Sequence, residues 1–302
     1  GNNYLSGISN KFLKKKIGKN KFSISTAVTS PLTSNENIIF ADDTGTIYNI
    51  NQNGKINWKK NIYKKIYKQI YKSLVFSINE DKIYVADNIG FIYAVNLNNG
   101  NIEWVKNHGI PIKSNLKIFN NKIFLINQDN RILCFDVRDG SLIWDARSAS
   151  SFIKSQNLLS LAISKRGELI TLNSSGDLSK HGANNGKMYW TLNSLGFGFT
   201  HDADFFKSSQ VVISDEDIIF SASSSTFSIN IKNGYLNWKL DIASKGTPII
   251  DGNNIFIVSD NGFFINIEKN SGKIIWSTNI LKILKKKNQK TKVTGFVLGS
   301  DK

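Results

Sequence analysis

Cysteine is almost missing. Cys134 is the only one in 302 residues, so no internal disulfide can form, and cysteine usage leaves the compartment open. It stands in the run Arg131-Ile132-Leu133-Cys134-Phe135, where a small buried hydrophobe is the plainer reading. Histidine is scarce too: His108, His181 and His201 fall in different parts of the chain, and no pair has metal-ligand spacing. His201 with Asp202 and Asp204 is the one mixed cluster, read here as a polar loop rather than a metal site. There is no HExxH, no phosphate-binding glycine loop and no nucleophile elbow, which removes the common hydrolase and nucleotide-binding chemistries. No apolar run reaches the ~18 residues that a membrane-spanning helix needs. No signal peptide is visible, and Gly1-Asn2-Asn3 reads as a start left by processing or truncation.

What the chain does have is a repeat. All six tryptophans follow a turn glycine by four residues: Gly54 and Trp58, Gly100 and Trp104, Gly140 and Trp144, Gly186 and Trp190, Gly234 and Trp238, Gly272 and Trp276. Successive tryptophans lie 46, 40, 46, 48 and 38 residues apart, a period typical of repeat architectures. Between them, short apolar and β-branched runs alternate with Asn, Asp and Gly punctuation, as in Ile83-Tyr84-Val85-Ala86, Asp87-Asn88-Ile89-Gly90 and Phe91-Ile92-Tyr93-Ala94-Val95. That pattern predicts antiparallel strands. Each unit has four, counting a preceding run such as Leu74-Val75-Phe76-Ser77-Ile78, and this is the make-up of a propeller blade.

Several local expectations follow. The Asn-Gly and Asp-Gly pairs predict type I′ hairpins, with both central residues at positive φ. Asp42, Asp87 and Asp260 are read as one repeat position that hydrogen-bonds the turn backbone, not as catalytic carboxylates. Middle strands buried on both faces should be almost continuously apolar, as in Ile255-Phe256-Ile257-Val258. The run Asp177-Leu178-Ser179-Lys180-His181 breaks that rule and is expected to be exposed or distorted. The tryptophans are read as packing that covers the gap to the next blade, not as ligand platforms.

The segment Ile92-Tyr93-Ala94-Val95, Asn99-Gly100, Trp104 resembles the repeat of PQQ-like β-propellers, and the likeness recurs six times across about residues 25–298. Within that group the chain is most similar to the BamB family, periplasmic lipoproteins of the outer-membrane β-barrel assembly machinery. The expected fold is all-β: a single propeller domain over 1–302 with six complete blades ending near Trp58, Trp104, Trp144, Trp190, Trp238 and Trp276. A partial blade is expected from 281–302 with 1–25, the whole being a fragment of a seven- or eight-bladed ring. The resemblance implies a non-enzymatic scaffold in the periplasm, associated with the outer membrane. Its implied partners are the barrel-assembly protein and unfolded outer-membrane proteins. The family's lipidated N-terminal cysteine has no counterpart among these residues. No cofactor is expected: PQQ-dependent alcohol dehydrogenases that share the repeat carry adjacent cysteines, and here Cys134 stands alone. The alternatives are a PQQ-dependent or other cofactor-binding propeller enzyme, and a basic-face binder of anionic lipid or polysaccharide.

Charge is concentrated. Segments 11–21, 59–72 and 281–292 hold six lysines each and no acid, so the net +16 leaves the rest of the chain at −2. Blade topology puts connectors such as 59–72 on the same face as the turn between strands two and three, predicting one basic sector that attracts an acidic partner or anionic surface. Solvated loops with no specific role explain the same runs equally well. Ile62, Ile66 and Ile70, with Tyr63, Tyr67 and Tyr71, recur every four residues and predict a short helical stripe. Interleaved Lys and Tyr can stack single-stranded nucleic acid, but nothing else resembles a nucleic-acid module, and none is expected as a partner. The loop 195–206 mixes aromatic, glycine and acidic residues and suits a peptide or protein contact, although Phe205 and Phe206 also fit an inner strand. Candidate partner-binding residues are therefore Lys64, Lys65, Tyr67, Lys68 and Tyr71 in the first loop, and Leu195, Phe197, Phe199, Asp202 and Asp204 in the second.

Overall fold

The computed structural model describes residues 4–5, 29–34, 36–67, 70–147, 159–193, 208–222, 224–244, 246–283, 293 and 295–299. They form six four-stranded antiparallel sheets, in which strands pair in chain order from first to outermost. The sheets occupy 32–61, 74–107, 117–147, 160–193, 212–240 and 249–279. Each is one repeat and has the make-up of a propeller blade, as the sequence predicts. Tyr4–Leu5 pairs in parallel with Leu298–Gly299 as a separate two-stranded piece. The chain divides into two compact units near Asp145, with three sheets in each.

Within a unit the sheets pack face to face, and the second sheet shows why its middle strands read as continuous apolar runs. On Lys82–Asp87, Ile83 and Val85 join Ile39, Ala41 and Ile47 of the first sheet in one core. The alternate residues Tyr84 and Ala86 join Ile123, Leu125 and Leu133 of the third. A strand buried on both faces needs apolar residues at every position, not at every second one. The other unit repeats this. Ile170 and Leu172 pack with Ile218 and Phe220, and Ile219 with Ile255 and Ile257.

The glycine and tryptophan of the motif turn out to serve the same joint from opposite sides. Trp58 Nε1–H donates to the Leu97 carbonyl of the second sheet at 2.9 Å, and Trp104 to Val137 of the third at 3.1 Å. In the other unit Trp190 donates to Ile231 at 3.1 Å and Trp238 to Lys269 at 2.7 Å. In every case the acceptor lies three residues before the next repeat's glycine. A Cβ built on Gly100 would come within 2.6 Å of the Trp58 ring, and one on Gly140 within 2.6 Å of Trp104. The glycine therefore answers two demands, a left-handed φ of 73° at Gly100 and the indole lying against it.

Three expectations need correction. The Gly-Trp turns are not type I′. Gly54, Gly100, Gly140, Gly186, Gly234 and Gly272 have positive φ, but the residue before each does not. The loop instead closes with Gly100 N–H donating to the Asn96 carbonyl at 2.9 Å, and a bulge follows between Ala94 and Val95. Type I′ geometry appears elsewhere, at Asn120-Asn121, with φ of 47° and 57°.

Asp260 does not share the position of Asp42 and Asp87. Those two stand three residues before Gly45 and Gly90, and each Oδ1 accepts turn N–H groups: Thr44 and Thr46 on Asp42; Ile89, Gly90 and Phe91 on Asp87. Three residues before Gly262 stands Ser259, whose Oγ accepts from Phe263 N–H at 3.0 Å. Asn127 and Asn173 hold the same position in the third and fourth sheets.

The polar strand of the fourth sheet, Asp177–Gly182, is not exposed, and its bulge between Lys180 and His181 is one that the second and fifth sheets also carry. All six of its residues are buried, because its polar atoms bond to one another and to the neighbouring strand.

Candidate partner-binding surface

The connector between the first and second sheets is the candidate loop whose geometry the structure describes most fully. Leaving the outer strand, Ile62 N–H donates to the Gly45 carbonyl at 3.3 Å. Equivalent bonds run from His108 to Gly90 and from Ile280 to Gly262. These connectors thus cross the turn between strands two and three of their own sheet, as blade topology predicts. The lack of a side chain at Gly45 and Gly262 lets the connector lie flat: a Cβ on Gly45 would meet the Tyr63 ring at 2.2 Å, and one on Gly262 would meet Leu281 at 2.3 Å.

Three side chains then pin the connector from inside. Tyr63 sits edge-on to Tyr93, and its hydroxyl donates to Asp87 Oδ2 at 2.6 Å. Tyr67 packs edge-on to Phe91 with centroids 5.3 Å apart. Lys72 is only 2% exposed, lies 5.1 Å from the Tyr63 ring centre, and donates to the Ile70 carbonyl at 2.6 Å. Burial dominates the titration of the group: it pushes the Tyr63 phenol far above its ordinary value and raises the Asp87 carboxyl despite four hydrogen bonds to it. Burial likewise lowers the Lys72 ammonium, against the pull of Asp43, Asp42 and Asp87. Asn88 closes the segment, accepting from Ser73 N–H and donating to the Tyr71 carbonyl.

The predicted helical stripe is not one face. Among the described residues of the segment, only Lys65–Tyr67 forms a 3-10 turn. Ile62 is buried, whereas Ile66 is 80% and Ile70 46% exposed. The inner positions go to Tyr63, Tyr67 and Lys72, since rings and an alkyl stem reach the Asp87 pocket. Ile66 and Ile70 are turned outward. Among the five candidates here, Lys64, Lys65 and Tyr71 are exposed and Tyr67 is half-buried. Lys68 lies outside the described residues, as do Leu195, Phe197, Phe199, Asp202, Asp204 and His201. So do segment 11–21 and most of 281–292. The two candidate loops are therefore not brought together by anything the structure describes.

Among the described residues, Cys134 and His181 are buried and His108 is half-buried. Burial pushes the Cys134 thiol up to about 12. His181 Nδ1 lies 3.1 Å from the Gly186 carbonyl and its Nε2 3.0 Å from Ser179 Oγ, which is 2.8 Å from Thr171 Oγ1. The carbonyl fixes the neutral tautomer with hydrogen on Nδ1, leaving Nε2 to accept from Ser179. Burial lowers the basicity of this ring and of His108, which lies 3.3 Å from Asn127 Nδ2. Among the described residues, no three His, Cys, Asp or Glu side chains cluster as metal ligands. One feature that sequence reasoning missed is an open cleft of about 550 Å³ between the fifth and sixth sheets, lined by Asp241, Ile242, Ser259, Asp260, Phe263 and Ile274. The exposed apolar pair Phe263 and Ile274 at alternate-strand positions is its only sequence signal.

Comparison with known proteins follows the geometry closely. A family profile described as "Outer membrane protein assembly factor BamB" matches residues 43–278. A protein of that description from Shewanella oneidensis is 22% identical over 236 aligned residues, covering 67% of this chain and 55% of the relative. The chain thus spans about half the length of that curated relative. Among solved structures, BamB from Moraxella catarrhalis superposes with a TM-score of 0.68 at 13% identity, over 83% of this chain and 76% of that one. A europium-containing methanol dehydrogenase gives 0.66 at 11% identity, over 83% and 68%. The computationally designed Ika8 protein gives 0.53 at 12%, over 89% and 90%. These structural likenesses establish the β-propeller fold, which hosts both assembly factors and enzymes.

Proposed function

The chain belongs to the BamB family of PQQ-repeat β-propellers, and we propose on that premise that it is a non-enzymatic scaffold of the outer-membrane protein assembly machinery. It would work in the periplasm at the outer membrane, holding the barrel-assembly protein and passing unfolded outer-membrane proteins. The observation that carries the reading is the family match over residues 43–278, which contain all six Gly–Trp pairs. Cys134 and His181 are buried and His108 is half-buried, each held as a packing or hydrogen-bonded group, which supports a binding role over catalysis. Exposed outer strands give extended client segments an edge to pair with.

The protein contact is assigned to the loop that carries Leu195, Phe197, Phe199, Asp202 and Asp204, whose aromatics and acids have the make-up of a recognition loop. Capture of the purified periplasmic domains of the barrel-assembly protein tests this. The wild-type chain should retain them, and Phe197→Asp with Phe199→Asp should weaken retention by roughly tenfold or more, the loss of a hot-spot pair. Lys64→Glu with Lys65→Glu should leave it within about twofold, the effect of a rim charge. No capture by the wild-type chain would end the scaffold reading; capture indifferent to the phenylalanines would end only the loop assignment.

A further inference from the structure

We infer that the tip of the 59–73 connector is a membrane-surface wedge, in which Ile66, Ile70 and Tyr71 enter the headgroup region of an anionic phospholipid bilayer while Lys59, Lys60, Lys64 and Lys65 hold its phosphates. This goes beyond the scaffold reading and uses a different loop. Ile66 is 80%, Ile70 46% and Tyr71 47% exposed, an unusual outlay of apolar surface on one short segment. The four lysines are exposed as well. The segment 59–72 contains no acid.

The described residues of the tip are held from beneath by Tyr63 on Asp87, Tyr67 on Phe91 and buried Lys72. The hydrogen bonds Tyr67 N–H to Lys64 O and Ile70 N–H to Tyr67 O fix its backbone. Ordering three apolar side chains outward therefore costs little at the moment of contact. The acids close by are mostly occupied: Asp42 Oδ2 accepts from the Tyr48 hydroxyl at 3.1 Å, Asp87 from Tyr63, and only Asp43 is exposed.

A bilayer fits this surface better than a protein does. Three side chains on a short connector tip present far less than the ~800 Å² per partner that a stable protein interface buries. A bilayer needs no complementary groove. It adds a modest apolar insertion to the attraction of each lysine for an anionic surface, and the two together suffice for reversible binding. Tyrosine at the rim of such an insertion keeps its ring at the interface and its hydroxyl in water.

Co-sedimentation with vesicles tests the inference, using equal parts of phosphatidylglycerol and phosphatidylcholine against phosphatidylcholine alone. The whole chain should sediment with the anionic vesicles only, and less so as salt rises. Ile66→Asp with Ile70→Asp should lower binding by roughly tenfold or more, and Lys64→Glu with Lys65→Glu should do the same while flattening the salt dependence. Should the aspartates disturb folding, seen as a lowered melting midpoint, Ile66→Ser alone replaces them and should still weaken binding severalfold. Absence of vesicle binding by the wild-type chain overturns the inference. So does a loss confined to the lysine variant, which would mean adsorption by charge alone. So too does vesicle binding that survives both variants while capture of the barrel-assembly domains fails, which would give the tip to a protein. The capture assay on Phe197 and Phe199 reads the scaffold role independently.

Discussion

The third strands of the second and fourth sheets occupy equivalent places and are buried by opposite means. Phe91–Asn96 reads FIYAVN, and its central four side chains are buried against apolar neighbours. Asp177–Gly182 reads DLSKHG and is buried along its whole length. There Thr171, Ser179, His181 and the Gly186 carbonyl form one chain of hydrogen bonds. Lys180 pairs with Glu168 at 2.6 Å, and Asn173 donates to Asp177 at 3.0 Å. The difference teaches that this fold requires burial at a blade's centre but not apolarity. A polar strand is tolerated when each donor finds an acceptor, whereas a half-satisfied one would not be.

The sharpest way to break the comparison is to injure each strand in its own currency of contact. Ile92 is fully buried, and Ile92→Ala leaves a cavity that nothing polar can fill; it should cost about 3 kcal/mol by urea denaturation. A cost under about 1 kcal/mol would show that the second sheet collapses around the void. Ser179→Ala should cost less, about 1–2 kcal/mol, because it strands Thr171 Oγ1 and His181 Nε2 without adding a large void. Adding Thr171→Val to it should then cost less than the sum of the two single changes, since the second removes a group already unpaired. Strict additivity would mean that the hydroxyls act separately.

The smallest effect is in pH. Burial holds His181 and His108 below the ordinary imidazole value. Below about pH 6.5 the unfolded chain binds protons that the folded chain refuses. Stability should therefore be full above that value and decline as pH falls from about 6.5 toward the depressed folded values, by up to about 1.4 kcal/mol per unit and per histidine. His181→Asn should flatten about half of the decline between pH 6.5 and 5.5, read as melting midpoints. An unchanged slope would show that the carboxylates, and not this ring, set the acid limb.

The same contrast shows what a single sequence reveals. The spacing of Gly and Trp is a local, repeated signal, and it located each of the six four-stranded sheets among the described residues. That Trp58 lies on Gly100 was only half legible: a gap-covering role follows from periodicity, but the dual duty of glycine needs the neighbouring sheet's backbone. The polar strand misled because Ser179 and His181 look exposed until Thr171 and Gly186 are placed beside them. Asp260 misled through a one-residue offset, which hydrogen bonding to Ser259 corrects. At the connector, the four-residue spacing of Ile and Tyr predicted one stripe, yet Tyr63 went in and Ile66 out.

By itself, then, the order of residues determined where the six four-stranded sheets of the described residues lie and which apolar runs are buried on both faces, because those follow from the period and from the punctuation within one repeat. Only the tertiary structure decided which polar atoms are satisfied and which apolar ones stay in water. Tyr63 meets Asp87 across a sheet boundary, and Trp58 meets Leu97 thirty-nine positions on; such meetings depend on distances between repeats, which no local pattern encodes.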